Sequence, residues 1–499
     1  MAERLFAALH ALPGDRVLLS GDGLSYTAAT LLREVDQLAA RLRRQGGSVL
    51  AVLADNGPNG VAADLAALKA GVTHLPLPGF FSDAQLRHAL HSAAADLLLT
   101  DQAARIDALA LGFREIGQWN GLALLGREVE PAGLPVGTAK LSFTSGSTGL
   151  PKGVCLSAAA LIDTAEAVSA ALSDVPVGRH LSVLPLALLL ENVAGVYAPL
   201  LRGAEIVLPK LAELGWRGMG GFDPLQLARQ VEATQPDSLI VVPELLKAWT
   251  LALQAGQRRA PASLKFVAVG GARCDVALIE RARDAGLPAY EGYGLTECGS
   301  VVSLNRPGAD RLGSVGRPLG HVDIQVDAEG EIRIVNRGFL GYLHGAPDSP
   351  ESGAGSAFPS GDLGHLDAAG FLHLSGRRKN LIITAYGRNV APEWVEAALL
   401  AQPEIAQAVV TGEARPWLAG LLVPTRGVEP AALCAAVARA NAALPDYARV
   451  GSWLACTLFS PDNGMATGNG RPVRAAILQQ HAATIDSLYP YEEPTHVVL

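Results

Sequence analysis

Short apolar runs alternate with helical patterns through the first two thirds of the chain. The runs have the length of buried strands, and the stretches between them carry apolar residues at the spacing of a helix face. Strand-like runs occur at residues 49–54, 97–100, 141–144, 239–242 and 266–269, and helical patterns at 62–70 and 244–253. This alternation predicts an α/β fold in which helices cover parallel sheets.

The pattern changes after Gly313. Alternating runs at residues 321–326, 331–335 and 370–374 are separated by turn residues and predict an antiparallel or β-barrel-like subdomain. Residues 346–360, rich in Gly, Pro, Ser and Ala, predict a loop.

A new α+β pattern begins after Arg378 and includes helical stretches at residues 392–400 and 430–444. We therefore predict a large N-terminal domain at residues 1–378 and a small, mobile C-terminal domain at residues 379–499.

Residues 181–201 are nearly all apolar and long enough to span a bilayer. Pro185, Glu191, Asn192 and Pro199 interrupt them, so a strand, a turn and a buried helix explain the run better. We expect no transmembrane segment.

Composition and charge argue against several classes of function. The 499 residues carry a net charge of −8, which gives no general basic surface for nucleic acid. The five cysteines form no C-x-x-C pair, which favours reduced thiols without zinc or disulfides. The first residues lack the apolar run of a secretory signal. These features predict a cytoplasmic protein.

Residues 141–154 read Leu-Ser-Phe-Thr-Ser-Gly-Ser-Thr-Gly-Leu-Pro-Lys-Gly-Val. The glycines let backbone N–H groups approach an anion, the hydroxyls add donors, and the lysine adds a charge. The phosphate-binding candidates are Thr144, Ser145, Gly146, Ser147, Thr148, Gly149 and Lys152. The lysine spacing differs from that of a Walker-type loop.

With this loop the sequence resembles the acyl-adenylating superfamily of acyl-CoA synthetases, adenylation domains of peptide synthetases and firefly luciferases. The resemblance covers nearly the whole chain. A second family element reads Tyr-Gly-Leu-Thr-Glu-Cys at residues 293–298. The resemblance implies that Thr296 contacts the α-phosphate of ATP and that Glu297 holds Mg²⁺, which suits a single carboxylate beside phosphate oxygens.

Two further elements carry the resemblance toward the C-terminus. Asp362, in Ser-Gly-Asp-Leu-Gly, is implied to accept hydrogen bonds from the ribose hydroxyls. In Ser-Gly-Arg-Arg-Lys-Asn, Arg377 is implied to lie near the nucleotide, and Lys379 or Asn380 is the implied hinge. The Asn-Val-Ala-Pro-Glu string at residues 389–393 is most similar to bacterial long-chain fatty acyl-CoA synthetases.

The resemblance also implies where the base and the acid bind. The implied adenine site consists of Gly271, Ala272, Glu291 and Tyr293, whose ring can stack on the base. The implied acyl pocket consists of Leu188, Asn192, Gly195, Gly270 and Gly299, whose small residues leave space for an alkyl chain.

Two positions depart from the family pattern. Leu188 stands where long-chain relatives usually carry a histidine. Arg471 stands where the C-terminal pattern has the adenylation lysine, and the last lysine of the chain is Lys379. Because guanidinium and ammonium differ in shape and hydration, three outcomes stay open: Arg471 substitutes for the lysine, adenylation is slow or nearly lost, or the partner reaction has changed.

The resemblance therefore implies ATP-dependent activation of a fatty or other apolar carboxylic acid, with Mg²⁺ and release of pyrophosphate. The acyl group would pass to the thiol of coenzyme A or of a phosphopantetheine arm. Two alternatives stay open: a ligase that delivers to an acyl carrier protein or an amine, and a nucleotide-binding pseudoenzyme. The oligomeric state is not predicted.

Overall fold

Two large mixed sheets form most of the molecule before residue 345. The computed structural model describes residues 2–144, 152–218, 221–335, 338–345, 357–468 and 470–489. The strands are β1 (Val17–Gly21), β2 (Leu24–Thr27), β3 (Val49–Leu53), β4 (Thr73–Pro76), β5 (Leu97–Thr100), β6 (Arg114–Trp119), β7 (Leu122–Gly126), β8 (Thr138–Thr144), β9 (Lys152–Ser157), β10 (Arg179–Leu181), β11 (Glu205–Val207), β12 (Ser238–Val241), β13 (Phe266–Val269), β14 (Ala289–Tyr293), β15 (Ser303–Leu304), β16 (Arg317–Pro318), β17 (Asp323–Val326), β18 (Glu331–Val335), β19 (Phe339–Tyr342), β20 (Ala357–Leu366), β21 (Leu372–Arg377), β22 (Ile382–Ile383), β23 (Asn389–Val390), β24 (Ile405–Thr411), β25 (Leu418–Pro424) and β26 (Val450–Ala455).

Helices cover both sheets. The α-helices are α1 (Glu3–His10), α2 (Ala28–Gln45), α3 (Pro58–Ala70), α4 (Asp83–Ser92), α5 (Ala103–Ala108), α6 (Ala158–Ala171), α7 (Ala198–Leu201), α8 (Pro224–Thr234), α9 (Pro243–Ala255), α10 (Val276–Asp284), α11 (Pro392–Leu400), α12 (Pro430–Ala442), α13 (Arg474–Gln480) and α14 (Ala482–Ser487).

The strand order of the two large sheets explains the alternating sequence pattern. Among the described residues the orders are β16-β15-β14-β13-β12-β10-β11-β1-β2 and β19-β9-β8-β4-β3-β5-β7-β6. Strands β10 to β14 pair in parallel, as do β4, β3 and β5, and antiparallel pairs such as β14–β15 and β8–β9 lie toward the edges. Parallel neighbours need crossover helices, which the alternating pattern supplies. The predicted α/β fold is confirmed.

The largest core lies between the two sheets and includes Leu19 from one sheet and Leu50 from the other. Leu31 of α2, Leu65 of α3 and Leu161 of α6 fill the space between them. These helices thus form a layer between the two sheets. Their packing in the core sets how the sheet edges face each other.

A third sheet has the antiparallel order β17-β18-β20-β21 among the described residues, as the alternating runs predict. The predicted loop at 346–360 needs a correction. Residues 346–356 lie outside the described part, but Ala357 to Ser360 belong to β20. They are in a strand because Phe358 is buried and pairs with Ile334 of β18, which the Gly- and Ser-rich composition concealed.

The chain after Arg377 has a separate core. Sheet β24-β25-β26 packs with α11 and α12 around Val395, Leu422, Leu433 and Trp453. A 3₁₀ turn at Arg378–Asn380 precedes this region. A large N-terminal and a smaller C-terminal domain are therefore present, and the limits 1–378 and 379–499 stay our proposed division.

Among the described residues, no helix has both the length and the apolar character needed to cross a membrane. The apolar run at 181–201 contains the end of β10, a π-helical segment (Glu191–Tyr197) and α7. This arrangement agrees with the strand, turn and buried helix expected there. All five cysteines are free, and four of them are buried.

Candidate active site

Thr144 and Lys152 lie at the loop end of the β8–β9 hairpin and face each other in the strand register. The Thr144 hydroxyl donates to the Lys152 carbonyl at 3.5 Å, and the Lys152 side chain is exposed. The predicted phosphate-binding residues Ser145, Gly146, Ser147, Thr148 and Gly149 lie outside the described residues. The hairpin thus positions both ends of the predicted loop.

Tyr342 connects Lys152 to Glu297. Its strand β19 pairs with β9, and its ring centroid lies 5.9 Å from Lys152 Nζ. The Tyr342 hydroxyl donates to Glu297 Oε1 at 2.9 Å. Thr296 and Glu297 form a short 3₁₀ turn directly after β14, and both are half-buried. Sequence reasoning missed Tyr342, because it lies in a short apolar run without a recognised motif.

Asp362 receives hydrogen bonds from two sides. The Tyr293 hydroxyl donates to its Oδ2 at 2.6 Å, and Arg377 Nε donates to its Oδ1 at 3.0 Å. Asp362 and Arg377 are register partners in β20 and β21. Each carboxylate oxygen keeps acceptor capacity for a diol, because a carboxylate offers about four lone-pair sites.

Burial raises the pKa of Tyr293, and the charge of Asp362 raises it further. The phenol therefore stays protonated and keeps donating. Burial also raises the pKa of Asp362, while the Arg377 guanidinium acts in the opposite direction.

The loop after β13 contains Gly270, Gly271 and Ala272, and Gly271 has a φ of +86°. Because β13 and β14 are parallel neighbours, this loop and Tyr293 lie at the same sheet edge. Glu291 stabilises the loop by accepting the Cys274 N–H at 3.1 Å. Burial raises the pKa of Glu291 to about 7. The Glu291 carboxyl group therefore serves as a hydrogen-bond acceptor for the loop backbone.

Arg471 brings the C-terminal domain to this loop. Its Nη2 donates to the Gly271 carbonyl at 2.5 Å. A tight turn holds the arginine, because Thr467 N donates to the Arg471 carbonyl at 2.8 Å and Thr467 Oγ1 accepts from Arg471 N at 3.2 Å. The structure therefore places Arg471, which stands where the family pattern has a lysine, beside the predicted adenine loop.

The predicted acyl-pocket residues have different surroundings. Leu188 is half-buried, and a Cβ on Gly270 would lie 3.4 Å from Leu190. A Cβ on Gly195 would lie 2.6 Å from a Glu191 oxygen, and one on Gly299 would lie 2.7 Å from Thr164. Tight packing is therefore a sufficient reason for glycine at these two positions, and their place in a pocket stays a prediction.

The side chain of Asn192 lies in a buried polar cluster that sequence reasoning missed. Its Oδ1 accepts from Lys140 Nζ at 2.5 Å, and its Nδ2 donates to Asp64 Oδ2 at 2.7 Å. Lys140 Nζ also lies 2.9 Å from Asp64 Oδ2, and the Tyr197 hydroxyl donates to the same oxygen at 2.9 Å. His74 Nδ1 lies 2.7 Å from Asp64 Oδ1. The sequence did carry a signal for this cluster, because isolated charged residues occur in it within otherwise apolar elements.

The predicted hinge lies in the 3₁₀ turn at Arg378–Asn380. Lys379 is exposed, and Asn380 Nδ2 donates to Glu393 Oε1 at 2.5 Å. Asn380 is thus tied to the first turn of α11, whereas Lys379 faces solvent.

Glu297 is the candidate metal ligand. No cluster of three or more metal-binding side chains occurs in the part of the chain that the structure describes. A half-buried carboxylate beside a phosphate loop fits Mg²⁺, which commonly uses one or two carboxylates together with substrate phosphates.

Family models match most of the chain. The model described as AMP-binding enzyme matches residues 5–344, and the model described as AMP-binding enzyme C-terminal domain matches residues 379–493. The 2-succinylbenzoate–CoA ligase of Bacillus velezensis is 28% identical over 81% of this chain and 84% of that protein. The long-chain-fatty-acid–CoA ligase of Mycobacterium bovis is 32% identical, over 45% of this chain and 42% of that protein.

A solved structure has the same fold. The o-succinylbenzoate coenzyme A synthetase of Bacillus subtilis, in complex with ATP and magnesium ion, has a TM-score of 0.74 at 23% identity. The match covers 95% of this chain and 98% of that one. Together with the two family models, these findings show that the chain belongs to the AMP-binding enzyme family.

Proposed function

We propose that the protein is an AMP-forming acid–thiol ligase that converts a carboxylic acid to its acyl adenylate and then to a thioester. One observation carries the proposal: four separate parts of the chain bring polar groups together around the carboxyl edge of β13 and β14. These groups belong to Lys152, Glu297, Asp362 and Arg471.

In the first half reaction a carboxylate oxygen of the acid attacks the α-phosphorus of ATP. The bond to the bridging oxygen breaks, and pyrophosphate leaves with its electron pair. Lys152 and the Thr144 hydroxyl would stabilise the phosphate oxygens, since fixed donors at developing charge lower such barriers. Mg²⁺ on Glu297 would supply further neutralisation of phosphate charge.

The remaining groups would bind the rest of the nucleotide. Asp362 would accept hydrogen bonds from the ribose hydroxyls, and the ring of Tyr293 would stack on adenine. Arg471 would neutralise charge on the acid or on the departing pyrophosphate. Its bond to the Gly271 carbonyl supports this role, because it puts the guanidinium beside the adenine loop.

In the second half reaction a thiolate attacks the acyl carbon, and AMP leaves with the oxygen that joined the two groups. Rotation at Lys379 and Asn380 would remove Arg471 and admit the thiol. Coenzyme A is the acceptor we propose first, because the relatives compared above are named CoA ligases. A carrier protein or an amine remains an alternative acceptor.

An apolar acid fits the surroundings of Gly270. Leu190, Ala194 and Ala268 are partly buried and contact both large core clusters, so they form apolar surface between them. Val242 lies 3.5 Å from a Cβ built on Gly271. Because the Bacillus velezensis relative, whose match covers 81% of this chain, acts by its name on 2-succinylbenzoate, aromatic acids precede fatty acids in our proposed order.

The deciding experiment compares acid-dependent pyrophosphate release by the wild type and by Arg471→Lys. The panel contains benzoates, 2-succinylbenzoate, and medium- and long-chain fatty acids, with each product analysed with coenzyme A, a carrier protein and an amine. We expect the wild type to turn over with at least one acid. ATP binding without acid-dependent turnover would instead favour a pseudoenzyme, and turnover by the lysine variant alone would show that Arg471 disables adenylation.

A further inference from the structure

Two cations of the N-terminal domain contact backbone carbonyls of the segment that follows α11. Lys247, on α9, donates from Nζ to the carbonyls of Gln402 at 2.6 Å and Ile405 at 2.7 Å. Arg281, on α10, donates from Nη2 to the carbonyl of Ala401. All three bonds cross between the two domains.

The end of a helix is a suitable partner for these cations. The last carbonyls of a helix lack intrahelical donors and carry partial negative charge. Helix α11 ends at Leu400, so the carbonyls of Ala401 and Gln402 lie at its C-terminal end, whereas the carbonyl of Ile405 belongs to the start of β24. Lys247 is half-buried, which makes its hydrogen bonds to the other domain important for its solvation.

We infer that Lys247 and Arg281 are positioning residues that hold the C-terminal domain in the orientation in which Arg471 reaches Gly271. This inference rests on the proposed function. The end of α11 and the turn that carries Arg471 are separate parts of one domain. Contacts at both places restrict rotation of that domain more than either contact does alone.

The surroundings of Lys247 make the docked orientation depend on pH. Burial lowers the pKa of Lys247 to about 8, and the positive charge of Arg281 contributes. Glu404 and Glu244 act in the opposite direction, and Arg439 pairs with Glu404 at 2.6 Å. Rotation of the domain would uncover the ammonium group, and we expect the Lys247 pKa then to return toward its ordinary value of 10.5.

This difference sets the sign of the pH effect. The docked orientation binds the Lys247 proton more weakly than the rotated one. Raising the pH through 8 therefore removes the proton from the docked form first and favours docking. Below pH 8 both forms carry the proton, and the equilibrium no longer depends on this group.

The two half reactions provide the test. Adenylate formation is followed by acid-dependent exchange of pyrophosphate into ATP, and thioester formation is followed from synthetic acyl adenylate and coenzyme A. We expect Lys247→Met and Arg281→Met each to slow exchange by about tenfold, within the usual range of coupling between states. Thioester formation should stay unchanged or become faster.

Matched variants control for loss of charge. Lys265 donates to the Pro176 carbonyl at 3.0 Å and to Asp237 Oδ1 at 2.6 Å, both in its own domain. Arg283 shares α10 with Arg281 but donates to the Ala289 carbonyl. Lys265→Met and Arg283→Met should leave the ratio of the two half reactions unchanged. A parallel fall of both half reactions in Lys247→Met, or no change in either, would overturn the inference.

A distance measurement separates this inference from the proposed activity. Cys434 is the exposed cysteine of the C-terminal domain, and Val136 is 99% exposed in the N-terminal domain. Labels on Cys434 and on Val136→Cys report domain orientation without turnover. We expect Lys247→Met to broaden the distance distribution, and the docked fraction of the parent chain to rise from about pH 7.5 to about pH 9.5. Identical distributions in both proteins would refute the positioning role even if the ligase reaction is confirmed.

Discussion

Lys140 and Lys152 lie on the two strands of one hairpin but have opposite surroundings. Lys140 is 1% exposed, and its ammonium group lies among Asp64, Asn192 and Tyr197. Lys152 is exposed at the loop end of the hairpin, with its ammonium group above the ring of Tyr342. The same side chain therefore stabilises the core at one place and can meet a ligand at the other.

The difference lies in how the charge is compensated. Lys140 lowers the pKa of Asp64 far below its usual range, although burial acts to raise it. Breaking such a buried pair leaves one charge without compensation in the interior. Lys152 stays hydrated at the hairpin end, so a phosphate can replace water around it at low cost.

The largest effect is expected for Lys140→Met. Loss of the ammonium group leaves Asp64 ionised and buried, which costs about 3–5 kcal/mol of the free energy of unfolding. Urea denaturation of the N-terminal domain, followed by tryptophan fluorescence, measures the loss. Lys69→Met is the control, because Lys69 pairs with Asp36 at the surface and should cost less than about 1 kcal/mol. An equal loss in both variants would contradict the distinction.

Lys152→Met should lower activity and leave stability nearly unchanged. We expect acid-dependent pyrophosphate release to fall by about 10² to 10³, the usual effect of removing a donor from developing charge. The free energy of unfolding should change by less than about 0.5 kcal/mol, because the side chain is exposed. Steady-state assays and urea denaturation of the same preparation give both values. Unimpaired release would remove Lys152 from the proposed site.

Glu291→Gln extends the comparison to a buried acid that accepts a backbone N–H and, among the residues that the structure describes, has no ion pair like that of Asp64. The folded-state pKa near 7 exceeds the ordinary 4.5, so ionisation above pH 7 destabilises the fold. Glutamine keeps an oxygen for the Cys274 N–H without the charge. At pH 8 the variant should be more stable by about 3 kcal/mol. The gain should shrink as the pH falls from 7 and vanish below 4.5, and a gain that is the same at every pH would contradict this account.

Much of the fold could be predicted because strand and helix periodicity is local. The runs at 97–100 and 266–269 coincide with β5 and β13, and the helical pattern at 244–253 lies within α9. Composition was a poorer guide at residues 357–360, where Gly and Ser neighbours concealed a buried strand.

The candidate site could be predicted only where a motif carries it. Lys152, Glu297 and Asp362 come from recognisable strings, but the bond of Tyr342 to Glu297 joins residues 45 positions apart in sequence. The contacts of Lys247 depend on the orientation of two domains, which no local pattern encodes. Asp64 and Lys140 carried a usable signal, since each is a charged residue inside an apolar element.

The arginine beside Gly271 also has a consequence for chemical durability. In the proposed reaction, a mixed anhydride is produced close to the C-terminal domain, and such anhydrides acylate free amines. A protonated guanidinium is a poor nucleophile, and arginine keeps its proton near neutral pH. Since no lysine follows Lys379, the part of the C-terminal domain beyond the predicted hinge presents no side-chain amine to the anhydride. Arginine at position 471 would thus keep the C-terminal domain beyond the hinge from being acylated by the enzyme's own intermediate.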